Sequence, residues 1–196
     1  MRSAMSLLRR LGLRQHSLAY VREVILPHIE EPPAPADMRW VSLATQSDLG
    51  RFPADDSLKR HFEQFRTLGH CGVALLQADE YAAYGWMSTP ASPLPKHLPD
   101  TLAPSYWIYY CATSEPFRRR GLYALCLRKL LYEAAIRAAP RATVVYIDAH
   151  IENVYSRRAI ERAEFVPSLH LTTFRLPKVQ HRWFRCRPAQ ASAAER

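Results

Sequence analysis

Three consecutive arginines and a glycine, Arg118 to Gly121, are the residues of this 196-residue chain whose types and spacing best suit chemistry. They stand between a run typical of a buried strand, Trp107 to Thr113, and a segment whose apolar residues recur at three and four, as in a helix. The first turn of a helix has backbone N–H groups without internal partners, and the helix dipole adds about half a positive charge there. A strand, a basic turn and a helix therefore predict a site for an anionic group, and we expect the phosphate or pyrophosphate of a bound cofactor.

The composition agrees with an anionic partner and narrows the class of protein. The net charge is +9, which favours a phosphorylated cofactor, an acidic carrier protein, nucleic acid or a membrane surface. The four cysteines are scattered, without a CxxC pair or a histidine at ligand spacing, so the sequence predicts neither a zinc site nor a disulfide framework. Reduced thiols predict a cytoplasmic location. No apolar run approaches the ~18 residues that span a membrane.

Proline and charge patterns divide the chain into four segments. Residues 1–26 form a basic amphipathic segment, for which we predict a helix broken near Gly12. This helix would pack on the domain, act as a transit peptide, or touch a membrane or carrier protein. Residues 27–37 hold four prolines and predict a linker. A single globular domain is expected over 38–188, followed by a small, polar, disordered tail over 189–196.

The order of elements within the domain predicts an α/β fold with a mixed sheet. Turn signals and periodicity give the order β, α, α, β, β, β, α, β, α, β. The strand ending at Thr113 and the strand from Thr143 to Ala149 would form a parallel pair joined by a crossover helix. Antiparallel strands precede this pair. A Pro-rich loop between Pro90 and Pro104 carries His97 and is of the kind that often has a function.

Two motifs in this order resemble the GNAT superfamily of N-acetyltransferases. Its signature at the start of the central helix is Gln or Arg, two residues, Gly, one residue, then Gly or Ala; Arg118 and Gly121 fit, and Tyr123 departs from it. After the next strand the family often has Asn, two residues, Ala or Ser, and later Gly-Phe. Asn153, Ser156 and Phe165 match this second motif, with Glu164 in place of the Gly. Together the matches cover about residues 38–176.

The resemblance implies a GNAT-like, mostly antiparallel central sheet with a splayed parallel strand pair and flanking helices. It also implies acetyl-CoA or another acyl-CoA as the donor, no metal, and direct attack by an amine. Backbone amides after Arg118 would bind the pyrophosphate, and those near Cys111 and Thr113 would polarise the thioester carbonyl. Asn153 and Ser156 would reach the pantetheine or adenine; the alternative for Asn153, which is less favoured, is that it only caps its own helix. The implied donor-binding residues are Cys111, Ala112, Thr113, Arg118, Arg119, Arg120, Gly121, Leu122, Tyr123, Ala124, Asn153 and Ser156.

The acid and base of such a reaction are not at their usual positions. The family often has a Glu base where this chain has Trp107, and a Tyr acid where it has Ile160. The substitutes that the sequence offers are His150, Asp148, Tyr109 and His97. A histidine has the right intrinsic pKa to accept an ammonium proton at neutral pH. Proton removal by water, with the protein supplying only position, is the remaining hypothesis. Cys111 is predicted to be a small core residue, because no histidine pairs with it in the sequence.

Three functions remain in competition. The first is an N-acyltransferase that transfers an acetyl group from acetyl-CoA to an amine of a small molecule or protein. A variant of it uses a longer chain from acyl-CoA or from an acyl carrier protein that binds the basic N-terminal helix. The second is a non-catalytic acyl-CoA sensor. The third, a nucleic-acid-binding module, is less favoured, because the cluster at Arg118 already has a cofactor to bind and no nucleic-acid motif is present.

Overall fold

Apolar residues on both faces of the central strands place helices on both sides of one eight-stranded sheet. The computed structural model describes residues 14–45, 52–93, 98, 102, 104–175 and 182–189. The strands are β1 Arg14–Val24, β2 Arg39–Ser42, β3 Cys71–Gln77, β4 Glu80–Ser88, β5 Tyr106–Thr113, β6 Thr143–His150, β7 Val166–Arg175 and β8 Arg182–Pro188. The helices are α1 Asp56–Thr67, α2 Leu122–Ala138 and α3 Val154–Arg162, and a single 3₁₀ turn covers Glu115–Phe117.

The sheet order is β2-β3-β4-β5-β6-β1-β7-β8. Strands β5 and β6 are paired in parallel, and α2 is the crossover between them. Every other neighbouring pair among the described strands is antiparallel. The predicted α/β fold, with a mixed and mostly antiparallel sheet, is confirmed.

Alternation along β3 shows how the two faces are filled. Val73 and Leu75 join a core that also holds Leu127 and Leu130 of α2, whereas Ala74 and Leu76 join a second core with Phe62 of α1. Helix α1 begins where Asp55 Oδ1 accepts a hydrogen bond from the Leu58 N–H at 2.8 Å. Helices α1 and α2 therefore cover opposite faces of the sheet, which we call the α1 face and the α2 face.

The prediction of a helix over the N-terminal segment is wrong for residues 14–24, which form β1 inside the sheet. Leu18 and Tyr20 are buried on the α2 face and Ala19 on the α1 face, which is the alternation of a strand and not of a helix. Arg22 is accommodated because it donates to Glu164 Oε2 at 2.6 Å and to the Ala163 carbonyl at 2.5 Å. The chain thus enters the sheet before residue 38. Residues 1–13, including Gly12, lie outside the described residues.

The segment predicted to be a linker, residues 27–37, is attached to the rest of the molecule. Glu31 forms an ion pair with Lys129 of α2, and the Trp40 indole N–H donates to the Pro32 carbonyl at 2.9 Å. At the other end of the chain, β8 is a strand that the sequence did not predict, and it pairs with β7. The predicted tail lies outside the described residues from 190 onwards. None of the described helices is both long and apolar enough to cross a lipid bilayer.

Candidate functional site

Strand β5 contains a bulge that decides which of its side chains face α1. Tyr110 has a φ of 49°, and Tyr110 and Cys111 together stand opposite Gly85 alone in the register with β4. As a result, neighbouring residues Tyr109 and Tyr110 both contact Phe65 of α1, with ring centroids 5.0 and 5.1 Å away. A regular strand would send them to opposite faces. The bulge therefore concentrates aromatic side chains on the α1 face.

Strands β5 and β6 separate immediately before this bulge. Their parallel register pairs Tyr106–Ile108 with Val145–Ile147 and goes no further. The Ser114 N–H donates to the Ala82 carbonyl on β4 at 3.0 Å. Because N–H groups alternate along an extended strand, the Thr113 N–H points away from β4, towards the side where β6 has separated. The predicted splayed pair is present, and a strand edge with an N–H donor lines the gap.

The loop that follows β5 exposes the start of α2. Arg119 has a φ of 66° and Gly121 a φ of 76°, so two left-handed residues turn the chain into the helix. Arg118, Arg119, Arg120 and Gly121 are exposed. Gly121 has no side chain to cap the helix, and the first turn holds no acidic residue. The first N–H groups of a 17-residue helix thus face solvent beside three guanidinium groups.

Within the described part of the chain, two exposed ion pairs involve these arginines. Arg118 lies 3.9 Å from Glu115, and Arg120 lies 3.6 Å from Asp37. Both pairs are exposed, so each contributes little and can be exchanged for a better anion. Near this loop, Thr113 Oγ1 is one of two buried side-chain polar atoms without a hydrogen-bond partner among the described residues. An exposed basic loop beside an unsatisfied hydroxyl is the kind of surface that binds anions. The donor-binding role of residues 118–124 stays a prediction.

Tyr123 and Ser156, both predicted to contact the donor, lie close to each other. Their side chains approach where the first turns of α2 and α3 meet. The Tyr123 ring packs against the core of the α2 face, and burial raises the pKa of its hydroxyl. Cys111 of β5 and Asp148 of β6 both contribute to that pKa, which places the phenol near both separating strands. A side chain larger than the usual Gly or Ala therefore borders the gap.

Asn153 acts as the cap of α3. Its side-chain oxygen accepts a hydrogen bond from the Ser156 N–H at 3.1 Å. This is the alternative that the sequence leaves open, and it occupies the atom that would otherwise reach a ligand. A role of Asn153 in donor binding stays a prediction.

The candidates on β6 lie at its end. Asp148 and His150 alternate with Ile147 and Ala149, which are buried on the α2 face, so both point to the α1 face as the sequence predicts. Asp148 pairs with Ala19 of β1. His150 is exposed, and its Nδ1 accepts from the Glu152 N–H at 3.4 Å. His97 lies outside the described residues.

The positions of the family's usual base and acid are occupied by core residues. Trp107 is 1% exposed and stacks on Tyr146 with ring centroids 5.7 Å apart. Ile160 is completely buried between α3 and the sheet. Neither side chain can transfer a proton in this reaction. Any proton acceptor must therefore come from elsewhere in the site.

A titratable histidine that the sequence analysis does not single out lies next to Tyr109. His70, just before β3, hydrogen-bonds the Tyr109 hydroxyl through Nδ1. Burial lowers the pKa of His70 and raises that of Tyr109, with a smaller contribution to Tyr109 from Cys111. The signal in the sequence is weak, because the two residues are 39 positions apart and no motif connects them. Tyr109, predicted as a catalytic candidate, is thus joined to a titratable partner.

Cys111 has the environment of a core residue. It packs with Gly85, where an added Cβ would lie 2.8 Å from its Sγ and 2.9 Å from Leu130 Cδ1. Burial raises the pKa of the Cys111 thiol to about 12, so the thiolate needed for nucleophilic attack does not form at neutral pH. Among the described residues, no group of three or more His, Cys, Asp or Glu side chains could hold a metal ion.

Comparison with known proteins identifies the fold. No family model matches the sequence, and no curated protein matches it either. Among solved structures, the chain is similar to a protein described as a GNAT-family acetyltransferase from Novosphingobium aromaticivorans, with a TM-score of 0.56 and 16% identity over 81% of this chain and 62% of that one. A GNAT-family acetyltransferase from Colwellia psychrerythraea matches with a TM-score of 0.55 and 13% identity, over 83% of this chain and 56% of that one.

A tandem GNAT protein from the clavulanic acid biosynthesis pathway gives a TM-score of 0.53 and 14% identity, over 91% of this chain and 60% of that one. The chain has the GNAT fold, as the two sequence motifs predict. It spans about three fifths of the length of these structures.

Proposed function

We propose that the chain is an N-acyltransferase that transfers an acetyl group from acetyl-CoA directly to an amine. The observation that carries this proposal is the combination of a strand pair that separates at Ile108 and Ile147 with an uncapped, arginine-flanked helix start at Gly121. The gap suits an extended thioester arm, and the helix start suits its pyrophosphate. The GNAT fold of the chain supports the same assignment.

Different groups of the protein would bind the pyrophosphate and polarise the thioester carbonyl. The guanidinium groups of Arg118 to Arg120 and the N–H groups of the first turn of α2 hold the pyrophosphate by charge-assisted hydrogen bonds. The N–H groups of Cys111 and Thr113 polarise the carbonyl, because charge develops on its oxygen when the amine attacks. The donor supplies an acyl group activated as a thioester. No covalent intermediate on the protein is needed, in keeping with the protonated, buried thiol of Cys111.

A first experiment separates donor binding from catalysis. Isothermal titration with acetyl-CoA, malonyl-CoA and palmitoyl-CoA measures the donor preference, and release of free CoA thiol measures transfer to tyramine, spermine, an aminoglycoside and a lysine-containing peptide. We expect micromolar acetyl-CoA binding and thiol release with at least one amine. If none of the three thioesters binds, the proposal is refuted.

The second candidate function is a non-catalytic acyl-CoA sensor. It is favoured by Trp107 and Ile160 at the usual positions of base and acid, both of them buried. It predicts tight binding of acetyl-CoA without thiol release for any amine of the panel. A longer acyl chain is the third outcome of the same titration. The support for an acyl carrier protein or membrane partner is reduced, because residues 14–24 are a strand of the sheet and not a surface helix.

A further inference from the structure

The Tyr109 hydroxyl and the His70 imidazole form a partly buried pair on the α1 face, held in place by three elements. His70 precedes β3, and Tyr109 lies in β5 next to the bulge. Their rings meet edge to face with centroids 5.6 Å apart, and Phe65 of α1 packs on both of them. The hydrogen bond between them is therefore fixed by packing and not by a flexible surface contact.

Tyr109 also lies on the strand along which we propose that the donor binds. The N–H groups proposed to bind the carbonyl, those of Cys111 and Thr113, are two and four residues further along the same strand. Tyr109 packs against the α1 core and also against the cluster that contains Trp107 and Tyr146, so it stands at the junction of α1 and β6. This junction is on the face opposite α2, from which an acceptor can approach without crossing the helix that holds the donor.

The electrostatic surroundings favour a neutral imidazole behind a protonated phenol. Burial alone lowers the pKa of His70 from its ordinary value of about 6.5, and burial is also the main cause that raises the pKa of Tyr109. No charged group contributes to the pKa of His70. Titratable or charged groups on the elements around the pair, among the described residues, are Cys71 next to His70, His61 and the Glu63–Arg66 ion pair of α1, Tyr84 of β4, Tyr110 and Cys111 of β5, and Tyr146 of β6.

We propose that Tyr109 is the catalytic residue that takes the proton from the attacking amine, and that His70 is the final acceptor of this proton through Tyr109. The inference rests on the proposed acyl transfer. The neutral amine forms a bond to the carbonyl carbon, the carbon–sulfur bond breaks, and its electron pair leaves with the sulfur as thiolate. The extra proton on nitrogen moves to Tyr109 Oη while the hydroxyl proton moves to His70 Nδ1, in the tautomer that carries its hydrogen on Nε2. The imidazolium then gives one proton to solvent, which restores the pair.

The test uses substitutions that keep the packing and remove the proton transfer. His70→Asn keeps a hydrogen-bond partner near the position of Nδ1 but cannot be protonated at neutral pH, and Tyr109→Phe keeps the ring. His170→Asn, at an exposed position on β7, is the matched control. The amine is the member of the panel above that the wild-type protein acetylates fastest. We expect kcat to fall on the order of 100-fold in both variants, with KM for acetyl-CoA within about twofold of wild type, and the double variant to lose little more than either single one.

The pH dependence separates proton acceptance from a purely structural hydrogen bond. Because the pKa of His70 is lowered, the neutral acceptor is present at neutral pH, and wild-type activity should fall on the acid side as pH drops through that pKa. His70→Asn should lose this acidic limb. In the free protein, NMR titration should show an imidazole with a pKa below about 6.5 that is missing from His70→Asn and shifted in Tyr109→Phe.

The possible results are distinct. If His70→Asn keeps wild-type kcat and the acidic limb, the pair is structural and the inference is overturned, while the proposed function stands. If the wild-type protein releases no thiol with any amine of the panel, the proposed transfer fails and the inference fails with it. If both variants lose acetyl-CoA binding measured by titration, the effect lies in folding or donor binding, and the proposed proton route is rejected.

Discussion

Helices α2 and α3 both begin at the ends of central strands, but their first turns are completed in different ways. At α3, the Asn153 side chain accepts a hydrogen bond from the Ser156 N–H. At α2, Gly121 offers no side chain and three exposed arginines precede the first turn. The start of α3 is thus capped by a side chain, and the start of α2 is not. This difference is why we place the proposed anion site at α2, although both starts carry residues of the GNAT pattern.

The strongest test of this difference is Gly121→Glu. A carboxylate at the start of α2 repels a pyrophosphate and competes for the same N–H groups, so acetyl-CoA affinity should fall at least 100-fold, on the order of 3 kcal/mol. An added Cβ meets no atom within 4 Å, so the fold should persist, with about 1 kcal/mol lost because Gly121 has a φ of 76°. Isothermal titration measures the first effect and urea unfolding the second.

Gly69 provides a matched control for Gly121→Glu. It also has a positive φ, 73°, and open space around its Cβ, but it lies after α1. Gly69→Glu should therefore cost similar stability and leave acetyl-CoA affinity unchanged. Equal affinities in the two variants would mean that the start of α2 does not bind the pyrophosphate.

A smaller effect is expected when the arginines are removed singly. Arg119→Ala should weaken acetyl-CoA binding by about tenfold, because a charge-assisted hydrogen bond to phosphate is lost. Arg118→Ala and Arg120→Ala should weaken it less, since these side chains already have acidic neighbours in Glu115 and Asp37. Arg141→Ala, beyond the far end of α2, serves as the control. The slope of affinity against salt concentration should decrease in the three loop variants and not in the control.

Asn153→Ala should have the opposite effect to Gly121→Glu: it should change stability more than acetyl-CoA affinity. Loss of the cap of α3 should reduce the free energy of unfolding by about 1 kcal/mol, with acetyl-CoA affinity changed by less than about twofold. Asn153→Asp keeps the cap and adds a negative charge, so it should restore stability. If Asn153→Asp instead weakens donor binding strongly, Asn153 contacts the donor. Both helix starts would then take part in donor binding.

The features that the sequence predicts correctly are local. The segment from β5 to α2 combines a strand pattern, a basic turn with Gly121 and a helical period within about 33 residues, so its elements can be recognised without knowledge of distant contacts. Strand β1 fails this condition. It lies inside the sheet with both faces covered, and one of its charged residues, Arg22, pairs with Glu164, 142 positions away. A strand that is covered on both faces does not show the alternation of apolar and polar residues that identifies a strand in a sequence. The spacing of Val21 and Val24 instead resembles that of a helix.

The same distinction between local and distant contacts applies to the candidate site. The donor loop follows from neighbouring residues, whereas the pairing of His70 with Tyr109 depends on the register of three strands and on a bulge at Tyr110. A bulge shifts side chains from one face of the sheet to the other, and no residue type in β5 is a sequence signal for it. A sequence pattern can therefore locate the helix start that we propose as the anion site, but the proposed proton acceptor becomes visible only when distant strands are aligned.

The smallest predicted effect concerns the neighbouring side chains of Tyr123 and Ser156 at the two helix starts. We expect a hydrogen bond between their hydroxyl groups, so Tyr123→Phe, which keeps the ring, should reduce the free energy of unfolding by about 1 kcal/mol, and Ser156→Ala should cost a similar amount. The double variant should lose clearly less than the sum, because both substitutions break one bond. Acetyl-CoA affinity should stay within about twofold in all three variants, since the phenyl ring still borders the gap. Strictly additive losses would show that Tyr123 and Ser156 act independently, and the first turn of α3 would then have a side chain available for the donor as well.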